Sequence, residues 1–289
     1  MVPLLLVSLA TAGSVHEEHM RLADAGELVM ATVPLAPHAA GPPTDGPHVT
    51  VYGYVPYWAD DLSTLPWDDL SHIALFSAAA TFDGRLTETS KWGDIDGALA
   101  YGRTYDVRIH LTVTNFKTSE LRTLLGSKTN RDRLIDALAA EVKRTGVHGV
   151  NIDFEGLPSD RREQMVTFTH DLQAKVPEVV LATPAVDWRR AWDYAALTQY
   201  ADLFIMGYGY HWGGSDYAGP VDPLYGGSPW AKPALDWTIA DYPDHGARPE
   251  RVIVGLPLYG YSWSTASDAV PAKTTARGSS IVYTSAKAK

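Results

Sequence analysis

The chain has 289 residues, of which 45% are hydrophobic and 20% are charged, and its formal net charge is −10. This composition is typical of a globular protein with a hydrophobic core, and an acidic chain without a Lys/Arg-rich run is a poor partner for nucleic acid or an anionic membrane surface. The sequence contains no cysteine, which excludes disulfides, thiolate metal sites, iron–sulfur clusters and a cysteine nucleophile.

The first 48 residues are predicted to precede the folded domain. Residues 1–13 combine an apolar run with small residues, as in a signal peptide, although the positively charged start of such peptides is absent. We therefore expect a secreted or cell-envelope protein, with a disordered leader or a wrongly assigned start codon as the alternative. Residues 14–48 are rich in Ala, Pro, Gly and His, and they predict a flexible linker. The histidines and glutamates at residues 16–19 do not have the spacing of the zinc motif His-Glu-x-x-His, so no metal site is predicted there.

Residues 49–263 carry the pattern of a barrel domain. Short apolar runs alternate with helical patterns, as in repeated βα units on a parallel sheet. The predicted strands are residues 50–54, 72–78, 108–114, 149–154, 179–184, 203–208 and 251–257. Asn130 is expected to cap a helix that ends at Gly146, and Ser159 is expected to cap the next one. The predicted fold is therefore an α/β barrel of the (β/α)₈ TIM type.

The eighth strand of such a barrel is missing from the pattern. Residues 264–289 are mostly Ser, Ala, Thr and Lys, and only residues 281–283 resemble a strand. We predict a low-complexity tail after a barrel that is truncated before its eighth strand; a seven-unit barrel is the alternative. No Gly-x-Gly-x-x-Gly follows any predicted strand, so a dinucleotide site is not expected. No stretch reaches the roughly 18 apolar residues of a membrane span.

The fourth predicted strand ends in a pair of acids. Alternate side chains of a strand share a face, so Asn151, Asp153 and Glu155 should point into the barrel while the apolar residues between them face the helices. Two carboxyl groups so close in a poorly hydrated barrel mouth cannot both ionise freely, and the pKa of one should rise. A carboxylic acid that keeps its proton near neutral pH can protonate a leaving group. Salt bridges to a helix end are the alternative role for these acids.

The segment around these acids resembles a known family signature. His-Gly-Val-Asn-Ile-Asp-Phe-Glu, residues 148–155, is similar to the Asp-Gly-x-Asp-x-Asp-x-Glu pattern of glycoside hydrolase family 18, which includes chitinases and related N-acetylglucosaminidases. The last Asp and the Glu match, whereas His148 and Asn151 replace the first two acids. An Asn-Ile-Asp-Phe-Glu version is also found in the branch of the family that acts on spore-cortex peptidoglycan.

The likeness extends over most of the predicted barrel. Residues 51–54 resemble the first strand of the family, residues 206–208 its Met-x-Tyr motif, and residues 255–260 its seventh-strand motif. Gly209 departs from the pattern, because an acidic or amide residue usually follows the motif tyrosine. The tryptophan that the family's eighth strand contributes has no counterpart here.

The resemblance implies a substrate-assisted mechanism with retention of configuration, an exception to the scheme in which a second carboxylate attacks the sugar. Glu155 would be the general acid. Asp153 would accept the acetamido N–H, Tyr208 would hydrogen-bond the acetamido oxygen, and Asn151 would hold Asp153. The substrate must then carry an N-acetyl group.

Aromatic residues just past the strand ends independently indicate a sugar site. Positions after barrel strands surround the active-site mouth, and flat aromatic rings pack on the apolar faces of sugars. Tyr57 is a further candidate of this kind, and His110 and His211 could either touch substrate or be structural hydrogen-bonding residues. The predicted substrate-binding residues are Asn151, Tyr54, Trp58, Trp188, Met206, Tyr210, Trp212, Tyr259 and Trp263.

The leading hypothesis is a hydrolase of β-1,4-linked N-acetylglucosamine polymers, either chitin or peptidoglycan. A non-catalytic carbohydrate-binding protein on the same barrel is the second hypothesis, and a metal-dependent deacetylase is the third. We expect a monomer that binds an N-acetylglucosamine-containing polysaccharide without a cofactor or a metal.

Overall fold

The computed structural model describes residues 14–28, 49–59, 61–230 and 233–287. The strands in these ranges are β1 (Tyr52–Pro56), β2 (His72–Ala80), β3 (Leu86–Thr87), β4 (Arg108–Asn115), β5 (Gly149–Phe154), β6 (Glu178–Pro184), β7 (Asp202–Met206), β8 (Val252–Gly255), β9 (Tyr259–Ser262) and β10 (Ser279–Val282). The α-helices are α1 (Val15–Asp24), α2 (Ile95–Tyr105), α3 (Thr118–Gly126), α4 (Lys128–Thr145), α5 (Arg162–Gln173), α6 (Tyr194–Leu197), α7 (Leu235–Asp244) and α8 (Tyr283–Lys287).

The main sheet has the predicted parallel order. Its strands follow one another as β1-β2-β4-β5-β6-β7-β8, and β3 pairs antiparallel with β2. Each predicted strand overlaps an observed one, and β5 has the predicted bounds. The curled parallel sheet with its helices confirms the predicted barrel class. Within the described ranges, β8 is the last strand of the parallel sheet, and no strand pairing joins it to β1.

The core lies mainly between the sheet and the helices. Val150, Ile152 and Phe154 of β5 are fully buried in this layer, and the ring of Phe154 lies 5.9 Å from that of Phe168 on α5. The opposite face of the sheet forms a smaller cluster of four residues. That cluster consists of Val180, Ala182, Phe204 and Met206. Because the apolar residues of β5 pack against the helices, the alternate residues Asn151 and Asp153 face the interior of the barrel, as predicted.

The helix boundaries differ from prediction at two N-termini. Ser127 caps α4 by accepting a hydrogen bond from the Asn130 backbone N–H at 3.3 Å, so Asn130 lies inside the helix and was wrongly taken as its cap. Gly146 ends α4 as predicted, with a φ of +79° that suits glycine. Ser159 begins a 3₁₀ turn, Ser159–Arg161, and does not cap α5 as predicted. Helix α5 begins at Arg162, directly after this turn.

Two segments near the ends of the chain, residues 15–24 and 279–287, form secondary structure where the sequence predicted a linker and a tail. Helix α1 lies inside the predicted linker, where Ser14 caps it and Glu17 and Glu18 occupy its favourable first turn. In the predicted tail, β10 pairs antiparallel with β9 and α8 follows. The predicted signal-like segment, residues 1–13, and residues 29–48 of the predicted linker lie outside the described residues. Among the described helices, none is both long and apolar enough to cross a membrane.

A prediction concerns Gly149, which begins β5. A Cβ at this position would lie 2.4 Å from the backbone oxygen of Glu178 on β6, so the two strands would have to separate. We expect Gly149→Ala to lower the free energy of unfolding by about 1–3 kcal/mol. Urea unfolding followed by circular dichroism measures this change. Gly260→Ala is the matched control in β9, because no atom in the described part of the chain lies within 4 Å of its added Cβ. Equal effects of the two substitutions would contradict the prediction.

Candidate active site

The two predicted catalytic acids lie together at the carboxyl end of β5. Asp153 is only 2% exposed and Glu155 is half-buried. Their carboxylate oxygens and Nε2 or Nδ1 of His16 all lie within 4.8 Å of one another. The neighbouring strand fixes this end of β5, since the backbone N–H of Glu155 donates to the carbonyl oxygen of Asn115 at 3.1 Å. The sequence thus correctly placed both acids on one inward-facing side of the strand.

Burial keeps both carboxyl groups from ionising easily. Burial, aided by the nearby charge of Glu155, raises the pKa of Asp153 well above its usual value. Burial also raises the pKa of Glu155 to about 7, against the opposing effect of a hydrogen bond from Ser14. The Ser14 hydroxyl donates to Oε1 of Glu155 at 2.5 Å. A glutamic acid with such a pKa holds its proton near neutral pH, as a general acid must.

Two buried polar atoms beside the acids have no hydrogen-bond partner among the described residues. They are Oδ1 of Asp153 and Nδ2 of Asn151. The predicted bond that lets Asn151 hold Asp153 is therefore absent. The physical reason is that Asn151 is engaged on its other side, where its amide oxygen accepts from the Tyr54 hydroxyl at 3.3 Å. An unpaired acceptor and an unpaired donor in one buried site are costly, and a bound ligand can satisfy both.

Tyr208 follows β7 and reaches the same site. Its hydroxyl lies 2.9 Å from Nε2 of His16, and its ring meets the Tyr259 ring edge-on at 5.7 Å. Burial raises the pKa of Tyr208 well above its usual value, so its hydroxyl stays neutral and can donate a hydrogen bond. Gly209 has a φ of +82°, and no atom of the described residues lies within 4 Å of the Cβ that a larger residue would add. A larger residue would find space there, but its backbone would be strained.

Among the predicted substrate-binding aromatics, Trp58 lies with the mouth residues. Its ring contacts those of Tyr57 at 4.7 Å and Phe76 at 6.4 Å. Tyr54 and Met206 lie lower in the barrel, where both take part in the interior cluster around Phe204. Tyr259 contacts the ring of Tyr208, which reaches the site of the acids.

The other predicted aromatics are spread more widely. Trp263 packs against Tyr261 with ring centroids 5.5 Å apart, and Trp212 lies under Arg277 at 5.1 Å. Trp188 is 78% exposed. The hydroxyl of Tyr210 hydrogen-bonds Thr238 on α7 at 2.6 Å, so this side chain is tied to a helix. Within the described ranges, no contact joins any of these four side chains to the acids.

The histidines named from the sequence are structural hydrogen-bonding residues. His110 lies near the start of β4, where its Nε2 is 2.7 Å from Oε2 of Glu178 and its Nδ1 is 3.0 Å from the Tyr52 hydroxyl. His211 lies 3.0 Å from the carbonyl oxygen of Pro220. His148 accepts a hydrogen bond from the backbone N–H of Ile109 at 2.9 Å. Parallel strands place the starts of β4 and β5 at the end of the sheet opposite to Glu155.

Two clusters of described residues have the donor atoms for a metal ion, although none was predicted. One is His16 with Asp153 and Glu155, and the other is His72 with His110 and Glu178. In the second cluster Arg108 forms an ion pair with Glu178, and this adjacent positive charge disfavours a cation. In the first cluster, Ser14 and Tyr208 already hydrogen-bond Glu155 and His16 without a metal.

Helix α1 lies against the site, and the sequence did not predict it. Its residues reach the acids, Tyr208, and Ser77 on β2, whose hydroxyl lies 3.8 Å from the Met20 sulfur. The available signal was the N-capping Ser14, followed by the acids of the first helical turn. The Pro-rich composition of the following residues hid this signal.

The barrel resembles proteins of a known family. The family model described as "Glycosyl hydrolases family 18" matches residues 50–288. A cortical fragment-lytic enzyme of Bacillus cereus is 24% identical over 209 residues, which cover 67% of this chain and 46% of that protein. An uncharacterized glycosylase of Bacillus subtilis (strain 168), YvbX, is 27% identical over 154 residues, which cover 48% of this chain and 41% of that protein. The chain therefore spans less than half the length of either relative.

A solved structure shows the same fold. It is that of a glycoside hydrolase family 18 N-acetylglucosaminidase from Paenibacillus barengoltzii, with a TM-score of 0.73 and 16% sequence identity. The similarity covers 83% of this chain and 79% of that one.

A prediction follows from the raised pKa of Glu155. The pKa of a glutamate carboxyl is usually 4.5, and that of Glu155 in the folded protein is about 7. Between these two pH values, Glu155 binds more protons in the folded protein than in the unfolded chain. Its contribution to the free energy of unfolding therefore falls as the pH rises through this window. We expect Glu155→Gln to be more stable than the parent by roughly 3 kcal/mol at pH 8, with a difference that shrinks towards pH 4.5. Urea unfolding at several pH values measures it.

The control for this prediction is Glu250→Gln, which removes an exposed carboxylate. It should change stability little and without a trend through this window. A stability difference between Glu155→Gln and the parent that is the same at pH 4.5 and pH 8 would contradict the assigned pKa.

Proposed function

This chain belongs to glycosyl hydrolase family 18, and we propose that it hydrolyses β-1,4-linked N-acetylglucosamine polymers with retention of configuration, using Glu155 as the general acid. The observation that carries the proposal is the pair of buried carboxyl groups at the end of β5, of which Glu155 has a pKa of about 7. A protonated carboxylic acid beside a second carboxyl group can donate the proton that the leaving glycosidic oxygen requires.

In the proposed reaction, the nucleophile comes from the substrate. As the glycosidic C–O bond breaks, Glu155 transfers its proton to the leaving oxygen, and the carbonyl oxygen of the 2-acetamido group forms a bond to the anomeric carbon. The resulting oxazolinium ion is opened by water, which gives a proton to the Glu155 carboxylate and restores the acid. Two displacements at one carbon leave its configuration unchanged, and substrate assistance of this kind is an established exception to the use of a second carboxylate as nucleophile.

The unpaired atoms of the site support this assignment. Oδ1 of Asp153 is a buried acceptor with no partner in the part of the chain that the structure describes, and it suits the N–H of an acetamido group. The neutral hydroxyl of Tyr208 can donate to the acetamido oxygen. Nδ2 of Asn151, a buried donor without a partner, can donate to a substrate oxygen. An N-acetyl group thus offers both the acceptor and the donor that the site lacks.

Two names among the relatives support an N-acetylglucosamine polymer of the cell wall as the substrate. One is named a cortical fragment-lytic enzyme, and the structural neighbour is named an N-acetylglucosaminidase. The Asn-Ile-Asp-Phe-Glu segment, residues 151–155, resembles the peptidoglycan-directed branch. We therefore propose peptidoglycan ahead of chitin, and a secreted or cell-envelope location where such a polymer occurs. Gly209 supports a second candidate function, binding of the same polymers without cleavage, because the family's usual acid or amide is missing there.

Substitution of the acids tests the proposed roles. We expect Glu155→Gln and Asp153→Asn to lower kcat by about 10²- to 10⁴-fold, because each removes a group that acts in the transition state. The assay incubates the full chain with N-acetylglucosamine oligomers and with purified peptidoglycan, and mass spectrometry follows the products. Glu250→Gln is the control and should retain the parent rate. A Glu155→Gln variant that turns over at the parent rate would exclude this residue as the acid.

A second prediction concerns the acetamido group. Fully deacetylated glucosamine oligomers lack the carbonyl oxygen that attacks the anomeric carbon, so we expect no detectable cleavage of them. N-acetylated oligomers of the same length should be cleaved, and proton NMR should show that the β-anomer forms first. Cleavage of deacetylated oligomers at a comparable rate, or initial formation of the α-anomer, would rule out substrate-assisted retention.

A further inference from the structure

We propose that helix α1 is an internal ligand of the catalytic mouth, which the polysaccharide must displace before it can be cleaved. This inference rests on the proposed function, because it assigns the mouth residues to substrate binding. It concerns an interaction surface of the barrel, and the partner of that surface is the segment Val15–Asp24 of the same chain.

The start of α1 occupies the position of the reacting groups. Ser14 donates to Glu155 at 2.5 Å, where the glycosidic oxygen would have to accept a proton. His16 lies 2.9 Å from the Tyr208 hydroxyl and within 4.8 Å of oxygens of both carboxyl groups. The acetamido group would need this same space. Two sets of atoms cannot occupy one volume, so α1 and a cleavable sugar exclude each other.

The rest of α1 crosses the mouth, and it is held at its far end. Asp24 accepts from the Tyr57 hydroxyl at 2.5 Å and from Nζ of Lys91 at 2.9 Å. Between the two ends, the His19 ring meets the Tyr259 ring edge-on at 5.4 Å. A helix of ten residues is roughly 15 Å long. The anchored helix therefore spans the mouth between the ends of β1 and β7 and covers the acids.

The docking contacts are of a kind that a substrate can replace. None of the α1 residues is fully buried, and Glu17, Arg21 and Asp24 are exposed. Most anchoring contacts are polar, including that of Glu18 with the Ser280 hydroxyl at 3.0 Å. The two contacts of Asp24 are exposed, and exposed polar contacts each contribute little because water competes for them. Attachment in the same chain raises the local concentration of α1 at the mouth and offsets this weakness.

An internal competitor has a specific kinetic signature. When α1 is docked, the substrate binds only the undocked fraction, so its apparent dissociation constant rises by the inverse of that fraction. Once the substrate is bound the helix is already displaced, and kcat is unaffected. A helix that is docked for about nine-tenths of the time raises KM about tenfold.

The test variant is His16→Ala combined with Asp24→Ala in the full chain. These changes remove one anchor near each end of α1, leave the Ser14 cap in place, and introduce alanine, which favours helix formation. Arg21→Ala is the matched control, because this exposed residue of α1 has no side-chain hydrogen bond recorded within the described residues. We expect the double variant to show about a tenfold lower KM for N-acetylglucosamine oligomers at unchanged kcat, and the control to behave as the parent.

Hydrogen exchange measures docking without any substrate. We expect amides of Val15–Asp24 to be protected in the parent and in Arg21→Ala, and to exchange at least tenfold faster in the double variant. Unprotected amides in the parent would overturn the proposal. Equal KM values for parent and double variant would overturn it while leaving the proposed function intact. A double variant that loses kcat and unfolds at lower urea would also overturn it, because α1 would then be a structural element.

If the chain shows no turnover, the proposed function is refuted, but the role of α1 as a competitor can still be tested. In that case, calorimetry compares the binding of tri-N-acetylchitotriose by the parent and the double variant. About tenfold tighter binding by the double variant would support α1 as a competitor. Equal affinities, or no binding by either protein, would overturn it.

Discussion

The structure depends on one electrostatic constraint, the burial of two carboxyl groups side by side at the end of β5. A buried carboxylate loses its hydration, and a second one nearby adds repulsion, so neither Asp153 nor Glu155 is readily charged. The sheet imposes this arrangement. Because β5 is paired on both edges by β4 and β6 and buries its apolar residues against helices, the acids can only point inward. The same constraint gives Glu155 the proton that the proposed reaction requires.

The features that the sequence predicted well are those set by local periodicity. The apolar runs located all seven parallel strands, and the alternation in residues 149–155 placed the acids and Asn151 on the interior face. Tyr208 was placed correctly because the end of β7 lies on the same side of a parallel sheet as the end of β5. Gly146 was identified as a helix stop from the freedom of glycine at positive φ.

The features that it missed depend on contacts between distant segments. Helix α1 is short, and none of its residues is fully buried. Its position at the mouth comes from partners more than 30 residues away in the sequence. The pairing of β10 with β9 likewise joins a Ser-rich segment to a strand. Asn151 was expected to hold Asp153, yet the neighbouring Tyr54 engages its amide oxygen. Periodicity within one segment cannot reveal which side chain of another strand arrives beside it.

The proposed roles of α1 and of the acids share one physical basis. A buried, largely uncharged site with unpaired polar atoms attracts any group that can pair with them, whether it belongs to a sugar or to the chain itself. The most direct test of this basis is a carbon-13 NMR titration of the glutamate side-chain carboxyls, with Glu155→Gln identifying the signal of Glu155. We expect that carboxyl to titrate near pH 7. A Glu155 signal that is already fully ionised at pH 5.5 would contradict the central claim.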